Sequence, residues 1–294
     1  MELIMTKDHW ALNSLRPMND EEFFLWQALI ESRVGMTVGE SRRSFLCTNL
    51  GVRMRELGIH DYESYYELLV QGKPAVVEPE WAILTDRLTV QETSFFRHQP
   101  SFDCLSRHLN ECLMRPTTRE LQVWSVGCST GEEPYSVAML LQVLIESSGR
   151  SRDLFWGVMA SDISIPALIK GRKGQYSERR IQQIPEMWRQ KFLDPVQSGT
   201  CQFKSFLRDK VCFAQLNIME IEDAPYFDMD VIFCQNVLIY FKKFRKRDIV
   251  AHLVDKLKPG GLLILGVNEL VDWQHPELVR VPDPGVLAFS RKII

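Results

Sequence analysis

The chain has 294 residues, 45% of them hydrophobic and 25% charged, with a formal net charge of -3. That length allows one large domain plus a small one, and the even charge balance argues against a nucleic-acid-coating protein, leaving only local basic patches to consider. Cys47, Cys104, Cys112, Cys128, Cys201, Cys212 and Cys234 show neither C-x-x-C nor zinc spacing. With no signal peptide recognised, reduced thiols in a cytoplasmic protein are expected. No apolar run reaches the roughly 18 residues needed to span a bilayer, so no membrane insertion is expected.

Residues 1–18 form an extension. Asn19 followed by Glu22 makes a capping-box start to a first helix carrying Phe23, Trp26, Leu29 and Ile30. A second helical pattern, 41–57, carries Arg42, Arg43, Arg53 and Arg55 beside Phe45, Leu46, Leu50 and Met54. Arg42 and Arg53 lie about three turns apart and share a face. That face reads either as solvated charge or as a docking surface for an acidic protein helix. Helices over 61–69 and 78–88 complete a helical domain spanning 19–90, and it holds no catalytic cluster.

Residues 91–116 read as a linker contributing to an active-site cleft. Its stretch Thr93-Ser94-Phe95-Phe96-Arg97 is either a short helix packing on the core or a cleft wall, with Arg97 available for bidentate carboxylate binding. His98 has no partner at a recognisable spacing.

The apolar run 121–126 ends at Gly127, and Gly131 precedes Glu132, Glu133 and Pro134. Acids in a first turn suit the helix dipole, so this is strand, glycine turn, helix. The spacing is neither the dinucleotide Gly-x-Gly-x-x-Gly nor a P-loop. Two carboxylates at the helix mouth repel phosphate, whereas a phosphate-free, cationic adenosyl ligand such as S-adenosylmethionine fits.

A second strand over 154–160 leads to Asp162, which either holds ribose hydroxyls or caps the next helix. A third, 211–216, ends at Asn217, an adenine-edge contact or a plain turn residue. Between them, 175–192 reads as helical, and the alternation in 202–207 suggests a small inserted sheet near 193–210. The strand ending near Cys234 places Asn236 and Tyr240 over the sheet's carboxyl edge, and Cys234 itself reads as a buried thiol. A basic helix over 242–257, stopped by Lys258-Pro259-Gly260-Gly261, precedes a strand over 262–266. An antiparallel pair, 278–281 and 286–291, closes the chain.

Five strings, taken together and in this order, resemble the chemotaxis receptor glutamate O-methyltransferases. They are 93–97 (TSFFR), 125–136 (SVGCSTGEEPYS), 161–163 (SDI), 171–176 (GRKGQY) and 234–241 (CQNVLIYF). The resemblance implies an α/β fold of the S-adenosylmethionine-dependent methyltransferase type: a Rossmann-like, mostly parallel sheet with an antiparallel last strand over 117–294. It also implies the small all-helical amino-terminal domain and the short inserted β subdomain. The implied activity is methyl transfer to glutamates in the cytoplasmic helical domain of methyl-accepting chemoreceptors. S-Adenosylhomocysteine is then the product, with no metal and no nucleic acid involved, and a cytoplasmic monomer recruited to membrane receptor arrays is expected.

By the same resemblance, Gln91, Thr93, Arg97, Gly127, Glu133, Asp162, Asn217, Ile218, Asn236 and Val237 contact or border the cofactor. Arg97 and Tyr240 flank the reacting centre, and Arg42, Arg43, Arg53 and Arg55 face the acidic receptor. Three departures stand out: Gln91 where the family has Asn, Gln235 where it has Arg, and Val267-Asn268 where it has His-Ser. A methyltransferase for another substrate and a non-catalytic adaptor retaining the fold are the rival readings.

Overall fold

The computed structural model describes residues 16–196, 199–225, 228–271 and 273–293; most of the expected 1–18 extension lies outside them. Two compact units emerge, one of residues 16–33 and 37–88 and the other of residues 34–36 and 89–293. No helix among the described residues is long and apolar enough to cross a membrane.

The first unit contains α1 (Asp20–Val34) up to Arg33, α2 (Arg43–Leu57), α3 (Tyr62–Gln71) and α4 (Pro74–Leu88). The capping box closes at both ends: Glu22 N–H donates to Asn19 Oδ1 at 2.8 Å, and Asn19 N–H to Glu22 Oε2 at 2.9 Å. Asp61 caps α3 by accepting from Ser64 N–H at 2.7 Å. Gly58, left-handed at φ +70°, stops α2. Helix α4 begins four residues before the expected 78, because Pro74 starts it and Pro79 is accommodated one turn in. Trp26, Leu46, Leu50, Tyr65 and Leu84 fill the core.

The second unit opens with α5 (Gln99–Met114), so most of the expected linker is a helix. Phe102, Leu105, Leu109, Cys112 and Leu113 recur at helical spacing and are buried, which is why the segment cannot stay extended. There follow β1 (Glu120–Val126), α6 (Glu132–Ser147), β2 (Phe155–Asp162) and α7 (Ile165–Lys173). The next stretch holds β3 (Gln175–Ser177), α8 (Glu178–Ile181), α9 (Glu186–Phe192), β4 (Leu193–Val196), β5 (Thr200–Phe203) and α10 (Ser205–Arg208). Then come β6 (Val211–Gln215), β7 (Met229–Cys234), α11 (Lys243–Asp255), β8 (Leu257–Leu265), β9 (Leu278–Arg280) and β10 (Leu287–Arg291).

The main sheet runs β6-β2-β1-β7-β8-β10-β9. Strands β6, β2, β1, β7 and β8 are parallel, and β10 joins β8 antiparallel, Leu287 opposite Leu265. Period-two alternation splits the core into two layers. Leu121, Val123, Val231 and Phe233 face the layer with α5 and α6, while Trp124, Val126, Ile232 and Cys234 face the layer with α11. Strand β1 has β2 on one side and β7 on the other, so the crevice at its carboxyl end is a topological switch point.

The inserted sheet, β3-β5-β4, begins at Gln175 rather than near 193. The 175–192 stretch is therefore not one helix but a short strand and two short helices. The 202–207 alternation stops at Phe203, where Lys204 O accepts from the N–H groups of Leu207 and Arg208 and turns the chain helical. Phe203 stacks on Tyr135 at 4.3 Å, anchoring the insert to the core. Lys258-Pro259-Gly260-Gly261 is no helix stop but a bulge inside β8, the register jumping from Met229↔Leu257 to Val231↔Leu262.

Candidate functional site

A cleft of about 1060 Å³, open mouth included, lies over the carboxyl ends of β1, β2, β6 and β7 in the second unit. Gln91, Thr93, Arg97, Gly127, Glu133, Asp162, Asn217, Ile218, Asn236, Val237 and Tyr240 all line it. Val34, Met36, Phe102, Val126, Leu216 and Phe241 supply an apolar wall that sequence reading did not assign.

The loop after β1 is fixed by backbone. The N–H groups of Gly127 and Cys128 both donate to Ser161 O, at 2.8 and 2.9 Å. Gly127 sits at φ +70°, and a Cβ there would lie 2.2 Å from Val237 Cγ2. Substitution Gly127→Ala thus meets both backbone strain and a clash, and is expected to cost on the order of 1–3 kcal/mol. A thermal melt of the variant checks this; an unchanged midpoint would contradict it. Gly131, at φ +97°, is walled by Tyr176 Oη and the Gly171 backbone. Tyr176 Oη donates to Thr130 O at 2.7 Å and Tyr135 Oη to Gly171 O at 2.9 Å, so the 171–176 string clamps the loop from outside.

The two acids at the helix mouth separate. Glu132 is fully buried, accepts from Thr130 Oγ1 at 2.6 Å and pairs with Arg180, away from the cleft. Glu133 alone faces the cleft, accepting from Ser125 Oγ at 2.6 Å. Enclosure by protein pushes its carboxyl up to about 8; Glu269 adds to the push, while Ser125 and Arg97 oppose it.

At the tip of β2, Asp162 accepts from Ser129 N–H through Oδ2 at 2.8 Å and from Ser164 N–H through Oδ1 at 2.9 Å. The cap of α7 is Ser164, whose hydroxyl accepts from Ala167 N–H, so Asp162 is not that cap. Asn217 Oδ1 accepts from Met219 N–H at 3.1 Å, capping the short turn Ile218–Asp223 and lining the cleft as well. Its turn role and its place in the cleft hold together.

The 89–98 stretch is not a helix. Phe95 is buried edge-on to Tyr176, and Phe96 takes a left-handed φ of +51° while its N–H donates to Ser136 Oγ. That twist turns Arg97 to the cleft, its Nη1 donating to Glu92 O at 2.8 Å. Gln91 binds the protein at both ends, accepting from Ser129 Oγ at 2.6 Å and donating to Thr89 Oγ1 at 3.0 Å. Gln235 donates to Ser101 Oγ at 2.9 Å, and that hydroxyl also meets His98 Nδ1 at 2.7 Å.

Beyond β7, Asn236 is left-handed at φ +61° and the chain turns through Leu238–Tyr240. Buried Glu269 holds this turn, accepting from Gly266 N–H at 2.8 Å and Ile239 N–H at 3.2 Å. Sequence reading left Glu269 out of the site, since a side chain that serves backbone N–H groups leaves no spacing signal. Burial pushes the Cys128 and Cys234 thiols well above their ordinary range, leaving neither suited to nucleophilic work.

The sequence pattern of the family described as CheR methyltransferase, SAM binding domain, matches residues 91–283. That of the CheR methyltransferase all-alpha domain matches residues 21–89. The chain belongs to the CheR methyltransferase family. It is 33% identical over 264 residues to a chemotaxis protein methyltransferase of Escherichia coli strain K12, spanning 88% of this chain and 87% of that one. To one of Klebsiella aerogenes it is 34% identical over 258 residues, spanning 86% and 84%. To one of Borreliella burgdorferi it is 30% identical over 250 residues, spanning 83% and 86%. The chain is thus an S-adenosylmethionine-dependent methyltransferase of the chemotaxis family.

The cleft suits that cofactor. Glu133 is an enclosed carboxyl group with one hydroxyl partner and a raised pKa, an environment in which a bound cation favours the charged form. Asp162 presents a carboxylate fixed by two N–H donors beside an apolar wall, and phosphate-binding spacing is missing.

The arginines of α2 fare differently from the expectation for a CheR docking face. Arg53 is bidentate to Glu80, at 2.8 and 2.6 Å, and binds Glu56 at 2.9 Å. Arg43 binds Asp20 and Met18 O, at 2.6 and 2.7 Å. Arg42 stacks over Phe45 at 4.7 Å, and Arg55 is exposed. Arg53 is therefore committed within its own unit, because the buried Glu80 claims it, whereas Arg43 pairs with the exposed Asp20.

Proposed function

We propose that this enzyme methylates glutamate side chains in the cytoplasmic helical domain of methyl-accepting chemoreceptors, adapting a chemosensory pathway. The observation that carries the reading is the convergence of Arg97 and Tyr240 with Glu133 and Asp162 on one cleft of a CheR methyltransferase. A monomer working in the cytoplasm at membrane receptor arrays accords with it.

S-Adenosylmethionine, when bound, supplies a methyl group on sulfonium sulfur that a carboxylate oxygen displaces, leaving S-adenosylhomocysteine. Asp162 takes the ribose hydroxyls, Glu133 the cationic methionine end, and Asn217 and Ile218 the adenine side. Gln91, Thr93, Gly127, Asn236 and Val237 border the ligand. A glutamate with pKa about 4.3 is already ionised at neutral pH, so no general base is needed. Arg97 orients the carboxylate and Tyr240 positions it by hydrogen bonding; alignment is the main contribution. Arg97→Ala and Tyr240→Phe are each expected to lower kcat by about tenfold or more, Tyr240→Phe while leaving cofactor affinity within about threefold. Both variants matching wild type in single-turnover methyl transfer would refute these roles.

Asp162→Asn keeps one acceptor oxygen and turns an amide N–H₂ toward a backbone donor. That internal loss falls on stability; toward the ligand, a charge-assisted bond to a ribose hydroxyl becomes a neutral one, a loss of about 1 kcal/mol, so cofactor binding is expected to weaken roughly 5- to 10-fold by calorimetry.

The deciding experiment is transfer of a labelled methyl group to chemoreceptor-containing membranes, followed by base. A carboxyl methyl ester releases volatile methanol. A base-stable product, or none, overturns the reading.

A further inference from the structure

The short turn Leu238–Tyr240, the start of α11 and the segment after β8 meet at Glu269. Ile239 N–H donates to Glu269 Oε1 at 3.2 Å, and Lys246 Nζ to Glu269 O at 3.1 Å. These bonds draw four apolar side chains into one neighbourhood: Ile239, 55% exposed, Phe244, 53%, Val267, 45%, and Val271, 59%. Lys242, Lys243, Arg245 and Arg247 are exposed in the same six residues, with Asp248 the one acid that follows directly. Arg245 lies over the Phe244 ring at 5.3 Å. The ridge continues directly into the cleft, since Tyr240 and Phe241 line it.

Folding does not explain this composition. The first turn of α11 contains no acid, and cations there oppose the helix dipole. Four exposed apolar side chains among the cations add nothing to the core, whereas apolar anchors ringed by charge are what a helix-docking surface requires.

We propose that this ridge docks the acidic, amphipathic helix that carries the target glutamate, laying its apolar face on Ile239, Phe244, Val267 and Val271 while its carboxylates meet Lys243 and Arg245. The proposal rests on the receptor-methylating reading above. It gives the second unit its own substrate-holding surface at the mouth of the cleft, in a chain whose Arg53 is held by the buried Glu80. Charge complementarity decides the occupant: a substrate segment whose reacting groups are glutamates is acidic. The same charge also steers encounter, so the effect falls with ionic strength.

The test compares wild type, Lys243→Glu/Arg245→Glu and Phe244→Ala in methylation of chemoreceptor membranes, with S-adenosylmethionine affinity measured in parallel. Expected for the charge-reversed protein are a tenfold or greater rise in KM for receptor, unchanged cofactor Kd, and a weaker salt dependence of kcat/KM. Phe244→Ala is expected to raise KM about threefold or more without changing that salt dependence. Wild-type methylation with unaltered receptor KM in both variants overturns the ridge alone. Failure of wild type to methylate receptors overturns the functional reading and the ridge with it. Loss of duplex DNA binding by the charge-reversed protein, with receptor KM unchanged, would assign the ridge to nucleic acid and refute the proposal.

Discussion

Arg53→Ala is expected to lower the thermal transition of the helical unit by about 10 °C or more rather than to weaken receptor binding in a folded enzyme. Glu80 is only 4% exposed, and its carboxylate accepts both Arg53 bonds and a 2.6 Å bond from Tyr65 Oη. Burial alone would raise the Glu80 carboxyl; the Arg53 and Tyr65 bonds reverse that and leave it below its ordinary value. Removing the guanidinium leaves a buried, half-satisfied carboxylate, a change that costs about 3–5 kcal/mol where a paired charge loses its partner. Truncating both residues, as Arg53→Ala/Glu80→Ala, is expected to cost less than Arg53→Ala alone. The sign with pH follows from the lowered pKa: the stabilisation is present above the unfolded value and is lost as pH falls through the folded one. Differential scanning calorimetry of the three proteins reads all of this. A folded Arg53→Ala with wild-type melting and a raised receptor KM would restore Arg53 to a docking face.

The Arg53–Glu80 pair also explains which parts of the molecule could be read from the sequence. Its two members lie 27 residues apart, and local spacing carries no trace of such a pair. Backbone demands are local, so Gly127, Gly131 and Gly58 could be placed from the residues around them. Strands buried on both faces show as apolar runs, so β1 and β7 were legible, as were Asp162 and Asn217 at strand tips. The same logic hid α5: its stripe includes Cys112 and follows aromatic and polar residues that read as a join. The three-residue β3 has no period to detect, and Pro259-Gly260-Gly261 looks like a breaker until the bulge in β8 is seen. Tyr240 could be placed at the sheet's carboxyl edge and Arg97 in a cleft wall from their own segments, but the joint role of Arg97, Glu133 and Tyr240 came from the family resemblance, because three segments so distant in the chain share no spacing.

Binding of S-adenosylmethionine is expected to tighten as pH rises from 6 toward 8, by about tenfold per unit, and Glu133→Gln is expected to abolish that rise. The Glu133 carboxyl, pushed up to about 8, holds a proton at neutral pH in the empty cleft. A cation bound beside it favours the carboxylate, so binding expels the proton, and the apparent affinity loses a factor of about ten for each unit below the empty-site pKa. Above that value the ligand's own amine, with pKa about 7.7–8.0, begins to lose its charge, so wild type shows an optimum near pH 8. Glu133→Gln keeps the Ser125 contact but offers no charge. It is expected to weaken binding at pH 8 by about 10²-fold or more, the loss typical of one partner of an enclosed charge pair, and to retain only the alkaline limb. Stability moves the opposite way. Because the folded pKa lies above the unfolded 4.5, the empty protein holds the extra proton between those values. The contribution of this carboxyl to stability is fullest below its unfolded pKa and declines as pH rises toward 8, with a slope approaching about 1.4 kcal/mol per unit. Calorimetric Kd and denaturant midpoints across pH 6–9 measure both slopes, and a flat acidic limb in wild type would remove Glu133 from the cationic end of the ligand. Repeating the titration with S-adenosylhomocysteine, which keeps the amine but lacks the sulfonium, assigns the contact: a retained slope places Glu133 at the amine, and a lost one places it at the sulfur.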